Sequence, residues 1–251
     1  MPTLYMGGER ATISKYVVFS GDPWRVNVLK QYLENVQEVA FQREFNTCTG
    51  SYKGVRITAT STGIGAPSAA IAMEEMYECG MEVAVRMGTV MSLQDDMLGH
   101  FLIPLASVRR EGTSATYVEP GYPAVADLAL VNIMNEVVAQ QGRRSLNGLN
   151  CTMDGYYTQM RESRFSNERG LEMQPVFDEL KGMGVAGIDM ESSCMLTVGR
   201  LMGVKTAVVT LATVLENLKA MLEGDERRQA EELLCRVVLE GIVRYNAQQS
   251  G

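Results

Sequence analysis

The chain has very few of the side chains that bind transition metals or build disulfide frameworks. It contains one histidine, His100, and five cysteines that are odd in number and far apart. Zinc sites and disulfide scaffolds need closely spaced or paired cysteines, so the sequence argues against both. This pattern is typical of a reducing cytosol, and we expect a cytoplasmic protein in which His100 is structural. The cysteines are Cys48, Cys79, Cys151, Cys194 and Cys235.

An excess of basic residues and long apolar runs are also absent. The 23 Lys and Arg residues face 30 Asp and Glu residues, giving a net charge of −7. This balance argues against broad binding to nucleic acid or anionic membranes. No apolar run approaches the roughly 18 residues of a membrane span, and the N-terminal segment lacks the apolar region of a signal peptide. We therefore expect no nucleic-acid or membrane partner.

What the chain does contain is the composition of an ordinary globular protein. Hydrophobic residues make up 46% and charged residues 21% of its 251 positions. A chain of this length can bury a full core, and no linker, repeat or low-complexity tract divides it. We predict one domain over residues 1–251.

The stretch Val55–Met91 predicts a strand, a glycine loop, a helix and a second strand. A β-rich run leads into a loop at residues 62–65 that contains Gly-x-Gly, and the helix begins near Pro67 and is closed by Gly80. The second strand is predicted over Val83–Arg86. Such a unit predicts an α/β fold in which the strands are parallel.

Two polar side chains are predicted to follow that second strand. Arg86 and Thr89 would bring a guanidinium and a hydroxyl to the rim of the sheet. In parallel sheets, ligands gather where strands end and helices begin. The pattern therefore points to an anion site.

A second candidate for the anion site lies near the N-terminus. Tyr16–Phe19 predicts a buried strand, and Asp22 can cap the helix that follows it. That helix has Arg25 in its first turn and an apolar face predicted to reach Val36. Backbone N–H groups at a helix start and a nearby arginine make an anion pocket, although Asp-Pro is also an ordinary helix opening.

Five further polar residues have a functional reading, an ordinary reading or both. Arg43 fits a solvated turn. Gln159 and Arg161 can present donors and an acceptor to a flat polar ring, or lie in a surface loop. Glu191 follows a predicted strand and can accept hydrogen bonds from sugar hydroxyls, whereas Asp189 fits a helix cap.

Taken together, the motifs resemble the uridine phosphorylase branch of the nucleoside phosphorylase family. Several separate motifs in the same order are more specific than any one of them, and the likeness runs from about residue 5 to 245. The motifs are GDPWR (21–25), REF (43–45), STGIGAPS (61–68), RMGT (86–89), QMR (159–161) and DMES (189–192).

The resemblance implies a three-layer α/β/α fold around a mixed, partly barrel-like sheet. It implies reversible phosphorolysis in nucleoside salvage or catabolism: a pyrimidine nucleoside and phosphate give the free base and ribose 1-phosphate. Phosphate is then a co-substrate, and neither a redox cofactor nor a catalytic metal is required. The family also implies self-association as a dimer or a trimer of dimers.

The resemblance also implies roles for particular residues. One group of residues would hold phosphate, and within it Arg43 would reach in from a neighbouring subunit. Arg86, Glu191 and Arg161 would carry the catalysis. By group, the residues are Gly21, Arg25, Arg43, Arg86 and Thr89 for phosphate, Met190 and Glu191 for ribose, Tyr156, Gln159 and Arg161 for the base, and Glu44, Ile64 and Ser68 for a monovalent interface cation.

The sequence departs from the family pattern at several positions. Val90 and Met91 follow Thr89 where relatives have a second threonine and a glycine, and the N-terminal histidine that reaches a neighbour's ribose is missing, with Tyr5 nearest. Relatives often carry an arginine after the last strand, where this chain has residues 212–214, Ala-Thr-Val. The loop before Gln159 is also one residue shorter. These differences concern the base and sugar more than the phosphate.

Two alternatives stay open from the sequence. A purine nucleoside phosphorylase would need a carboxylate after the last strand to protonate the departing base, and residues 212–214 offer none. A non-catalytic nucleoside- or phosphate-binding homologue would keep the scaffold and lose turnover. A hydrolase is disfavoured because water as the nucleophile needs no set of phosphate-facing arginines.

Overall fold

A computed structural model describes residues 1–249, in which twelve strands join into one mixed sheet. In chain order, the strands are β1 (Tyr16–Ser20), β2 (Glu34–Gln42), β3 (Phe45–Tyr52), β4 (Val55–Ser61), β5 (Val83–Ser92), β6 (Phe101–Leu102), β7 (Ala106–Arg110), β8 (Ala124–Val125), β9 (Ser145–Leu146), β10 (Leu149–Met153), β11 (Val185–Asp189) and β12 (Lys205–Leu215). The main path of neighbours is β2-β3-β4-β1-β5-β11-β10-β7-β8, and β12 pairs with both β5 and β6.

Helices connect most of these strands and cover the sheet. They are α1 (Pro23–Lys30), α2 (Ala66–Glu78), α3 (Leu128–Gln140), α4 (Arg164–Glu168), α5 (Gln174–Gly182), α6 (Ser192–Leu201) and α7 (Gly224–Gln249). Single turns of 3₁₀-helix and one short π-helix, Tyr156–Met160, lie in the loops.

The central strand β1 shows why helices lie on both faces of the sheet. Its side chains alternate: Tyr16 and Val18 pack with α1, α3 and α7, whereas Val17 and Phe19 pack with α2 and α6. All four are buried, as expected for a strand covered on both sides. The predicted three-layer α/β/α fold with a mixed sheet is confirmed.

The sheet branches at β5. Residues 83–87 of this strand pair with β1, but β1 ends at Ser20 opposite Met87. On the same side, pairing resumes only at Met91, which lies opposite Ile188 of the antiparallel strand β11. Strand β12 runs parallel to β5 along its other side. Residues 88–90 therefore face a gap between β1 and β11.

The strand-loop-helix-strand unit of the sequence is present with one change. Strands β4 and β5 are both parallel to β1, which lies between them, and α2 connects them. However, β5 continues to Ser92, so the prediction that Arg86 and Thr89 follow a strand ending at residue 86 is wrong. The reason is β12, whose long parallel pairing keeps β5 extended past the end of β1.

The predicted extent of the first helix is also wrong. Helix α1 ends at Lys30, and Val36 belongs to the edge strand β2, which pairs with β3. Leu33 is buried in the same cluster as α1, which explains its helical spacing in the sequence. Gly50 of β3 permits this arrangement, because an added Cβ there would lie 2.9 Å from the Leu33 Cβ atom.

The five cysteines are buried and none forms a disulfide. Burial raises the pKa of Cys48 to about 11 and that of Cys151 to about 12. Within residues 1–249, no cluster of three or more His, Cys, Asp or Glu side chains could hold a metal. No helix in this part of the chain is long and apolar enough to cross a membrane.

The antiparallel pairing of β5 and β11 generates a stability prediction. At Gly187 an added Cβ would lie 2.7 Å from Val90 Cγ2, 2.8 Å from Leu102 Cδ2 and 3.2 Å from the Met91 carbonyl oxygen. We expect Gly187→Ala to lower the free energy of unfolding by about 1–3 kcal/mol through overpacking. Gly182→Ala is the matched control, because nothing lies within 4 Å of its added Cβ. Equal stability of the two variants in urea unfolding would contradict the prediction.

Candidate active site

The gap beside β5 opens into a large cavity. Its volume is about 1020 Å³, and its wall includes residues 88–91 of β5, the start of α1 and the ends of β11 and β12. Among the residues predicted for phosphate, sugar and base, most lie in this wall. They are Gly21, Arg25, Arg86, Thr89, Met190, Glu191, Tyr156 and Arg161.

Arg86 is the central charged group of the cavity. It is buried, and its Nη2 atom pairs with Glu191 Oε2 and lies 3.2 Å from Asp189 Oδ2. Burial by itself lowers the pKa of the Arg86 guanidinium, but the carboxylates of Glu191 and Asp189 outweigh it, so this pKa lies above its ordinary value. Arg86 is therefore a permanent cation at the gap.

The position of the Arg86 side chain requires a residue without a side chain at Gly88. The guanidinium lies over the Gly88 backbone, and an added Cβ would overlap the Arg86 Nη1 and Cζ atoms. The Nη1 atom is buried without a hydrogen-bond partner among residues 1–249. A buried guanidinium nitrogen of this kind needs an acceptor, and an anion in the gap would supply one.

Arg25 is the second buried arginine of the cavity. Its Nη2 atom lies 3.2 Å from Glu231 Oε1 of α7, and its Nη1 atom lies 3.4 Å from Ser20 Oγ. Its Nε atom is buried and unpaired within the described chain. As predicted, Asp22 caps α1 by accepting a hydrogen bond from the Trp24 N–H at 2.9 Å.

Glu191 links Arg86 to the glycine loop. Its Oε1 atom accepts a hydrogen bond from the Gly65 N–H at 2.6 Å, and its other oxygen binds Arg86. A carboxylate has about four lone-pair sites, so both oxygens keep room for a further donor. Gly63 and Gly65 have φ of 68° and 102°, a left-handed backbone that glycine adopts without strain.

Asp189 does more than the helix cap that its position in the sequence suggests. It accepts from Ser192 at the start of α6, and its Oδ1 atom also accepts from Thr152 Oγ1 and Asn150 Nδ2, both at 2.8 Å. Its other oxygen faces Arg86. The only signal in the sequence for the contact with Arg86 is that Asp189 is an acidic residue two positions before Glu191.

The far end of the cavity is apolar and aromatic. Tyr156 and Tyr157 form an edge-to-face pair with ring centroids 4.9 Å apart, and Met91 and Met160 contribute to the same wall. Arg161 lies exposed at the rim. This combination suits a flat ring with polar edges.

Gln159 lies outside the cavity wall. Its Oε1 atom accepts a hydrogen bond from the Gly155 N–H at 2.8 Å, so the amide is turned toward its own loop. The π-helical turn that begins at Tyr156 fixes this direction. A role for Gln159 in base recognition stays a prediction.

Of the residues predicted to act between subunits, Ile64 lies in the cavity wall, whereas Arg43, Glu44 and Ser68 do not. Arg43 is exposed in the turn between β2 and β3, with its Cζ atom 5.1 Å from the Tyr5 ring centroid. Ser68 Oγ donates to Glu44 Oε1 at 2.9 Å, and Ile64 is 77% exposed. Their roles in a partner's site and in cation binding stay predictions.

One cavity residue gave no recognisable signal in the sequence. Arg227 lies in the cavity wall but belongs to the start of α7, about 200 positions from Arg25. In the sequence it sits in a run of charged residues that resembles any solvated helix start. Only the fold brings it to the cavity.

These features match a known family. A family profile described as the phosphorylase superfamily matches residues 15–243. The chain therefore belongs to the phosphorylase superfamily. The buried arginine pair, the Glu191 carboxylate and the aromatic end of the cavity all lie within the matched residues.

Relatives cover most of the chain. The uridine phosphorylase of Thermococcus kodakarensis is 35% identical over 198 residues, which are 78% of this chain and 72% of the relative. The uridine phosphorylase of Salmonella typhimurium is 28% identical over 92% of both chains. A crystal structure of uridine phosphorylase from Vibrio fischeri superposes with a TM-score of 0.82 at 29% identity, covering 97% of this chain and 98% of the other.

The close approach of Arg86 to Gly88 generates a prediction about anion binding. We expect Gly88→Ala to displace the guanidinium from the gap and to reduce the rise in melting temperature caused by added phosphate at least by half, because the buried fork loses its geometry. The same phosphate series with Gly182→Ala controls for adding a methyl group. An undiminished phosphate response in Gly88→Ala would contradict this placement of Arg86.

Proposed function

We propose that the protein catalyses the reversible phosphorolysis of uridine, giving uracil and ribose 1-phosphate. The observation that carries this proposal is the buried Arg86 fork, which faces the gap beside Glu191 with one nitrogen unpaired. Relatives called uridine phosphorylase align over most of the chain and support the pyrimidine substrate. The protein is accordingly a pentosyltransferase of nucleoside salvage or catabolism.

Arginine side chains bind the phosphate co-substrate. Arg25 and Arg86 bind phosphate oxygens, because a guanidinium fork matches their geometry and stays charged, and the Thr89 hydroxyl and Gly21 backbone complete the site. A phosphate oxygen then forms a bond to the anomeric carbon of the ribose. Arg86 also neutralises charge next to Glu191, which accepts from the ribose hydroxyls beside Met190.

The leaving base takes the electron pair of the glycosidic bond. The sugar passes through an oxocarbenium-like state that the phosphate dianion stabilises, and the negative charge of the departing uracil is spread over its oxygens. Arg161 at the rim stabilises that charge, and Tyr156 packs against the ring. Gln159 reaches the base edge when its amide leaves the Gly155 N–H. No proton has to be transferred to the base by a carboxylate, and no redox cofactor or catalytic metal is required.

A purine substrate is the second candidate. The guanosine phosphorylase of Halorubrum lacusprofundi is 29% identical over 84% of this chain and 82% of its own length. Against it, Thr213 and Val214 of β12 line the cavity where an acid would be needed. The next acidic residue, Glu216, is paired with Lys181 and Lys219 and does not line the cavity.

The decisive test is base release from uridine, thymidine, inosine and guanosine, each with and without phosphate. We expect phosphate-dependent release of uracil, and we expect Arg86→Ala to reduce kcat/KM at least about 100-fold because a preorganised charge contact is lost. Arg110→Ala is the matched control, since Arg110 pairs with Glu179 outside the cavity. Phosphate-independent release, or release from guanosine alone, would overturn the uridine assignment.

We further propose a homodimer, alone or within a trimer of dimers, in which Arg43 binds phosphate in the partner's site. The exposure of Arg43 at the β2–β3 turn supports this, because it lies outside its own cavity wall. Glu44, Ser68 and the backbone of Ile64 offer oxygen atoms that suit a monovalent cation at the same interface.

The five buried free thiols support a reducing, cytoplasmic location.

Complementation tests the shared site. Arg43→Ala and Arg86→Ala each damage both sites of a homodimer, whereas a mixed dimer restores one complete site if Arg43 acts in the partner. We expect purified mixed dimers to show about half of wild-type turnover. Mixed dimers as inactive as Arg86→Ala would place Arg43 in its own subunit's site, and full activity of Arg43→Ala alone would remove it from catalysis.

A further inference from the structure

One carboxylate oxygen links two arginines that lie in the cavity wall. Glu231 Oε1 lies 3.2 Å from Arg25 Nη2 and 3.1 Å from Arg227 Nε. Arg227 and Glu231 are one turn apart on α7, whereas Arg25 belongs to the first turn of α1. The shared oxygen therefore places the Arg227 guanidinium beside the arginine expected to bind phosphate.

Glu231 is positioned to orient both arginines before substrate binds. Arg25 is 6% exposed, and Glu231 is its ion-pair partner within residues 1–249. A buried guanidinium carries a desolvation cost that a paired carboxylate offsets. Because Glu231 accepts a hydrogen bond from Nε of Arg227, the two terminal amino groups of Arg227 keep donors that Glu231 does not use.

Those terminal amino groups are available to a ligand. The hydrogen bond and ion pair of Arg227 found in the described chain both use its Nε atom and Glu231. The side chain is 43% exposed and lines the cavity. The neighbouring residue Arg228 pairs with Asp225, is 66% exposed and lies outside the wall.

The charges next to Arg25 and Arg227 favour an anion at that part of the wall. Asp189 and Glu191 are both engaged with Arg86. Glu231 alone neutralises Arg25 and Arg227 together, so this pair keeps an excess positive charge. Phosphate is a dianion in much of its population near neutral pH and prefers bidentate guanidinium contacts.

We propose that Arg227 is a further phosphate-contacting residue, with Glu231 as the positioning residue that holds it beside Arg25. The inference rests on the proposed function, since the anion is the phosphate co-substrate or the phosphate group of ribose 1-phosphate. Helix α7 thereby supplies part of the phosphate site, in addition to α1 and β5.

Two readouts test the proposal. In steady-state kinetics, we expect Arg227→Gln to raise the KM for phosphate about tenfold or more, since a hydrogen bond to a charged group is lost, while the KM for uridine changes less than about twofold. Arg227→Lys keeps the charge and should recover part of the loss. Arg228→Gln, the matched control, should behave as the wild type.

The second readout does not depend on turnover. Added phosphate should raise the melting temperature of the wild type and of Arg228→Gln, and should raise that of Arg227→Gln distinctly less. If uridine is not cleaved but this difference remains, the proposed reaction fails and the phosphate contact stands. An unchanged phosphate response in Arg227→Gln, or a rise confined to the KM for uridine, would overturn the assignment of Arg227.

Discussion

The cavity depends on a guanidinium that is buried among carboxylates. Isolated, the Arg86 charge would be very costly to bury, and the same holds for Asp189 and Glu191. Together they offset one another's charge in part, since two carboxylates face one guanidinium, and the donors Thr152, Asn150 and the Gly65 N–H bind the two carboxylates. Such a group is preorganised, because none of its members can turn away without leaving an unpaired buried charge. The rest of the site is arranged around this fixed cation.

The backbone around that cation is constrained in the same way. Strand β1 stops at Ser20 and β11 begins to pair only at Met91, so the sheet leaves space for a ligand without an exposed edge in the core. Gly88 gives the Arg86 side chain room, and Gly187 lets β11 pack close to Val90. The paired strand β12 keeps the open segment of β5 extended. Small residues and a missing strand neighbour thus create the cavity together.

Features that depend on neighbouring residues could be predicted from the sequence better than features that depend on residues far away in the chain. The cap at Asp22, the glycine loop before α2 and the buried alternation of β1 all depend on neighbouring residues, and each appears in the structure. The length of β5 depends on β12, more than 100 residues away, and the end of α1 depends on Gly50. Arg227 could not be recognised, because its role arises from a contact with Glu231 and Arg25 that only the folded chain creates.

The sealed thiols have a practical consequence for spectroscopy. All five native cysteines are buried, and desolvation keeps a thiol such as Cys48, with its pKa of about 11, protonated at neutral pH. A single cysteine introduced on the surface, for example at the 76% exposed Trp24 beside the cavity mouth, would be the reactive one. A fluorophore or spin label could therefore be attached there in the otherwise native chain without first removing any natural thiol.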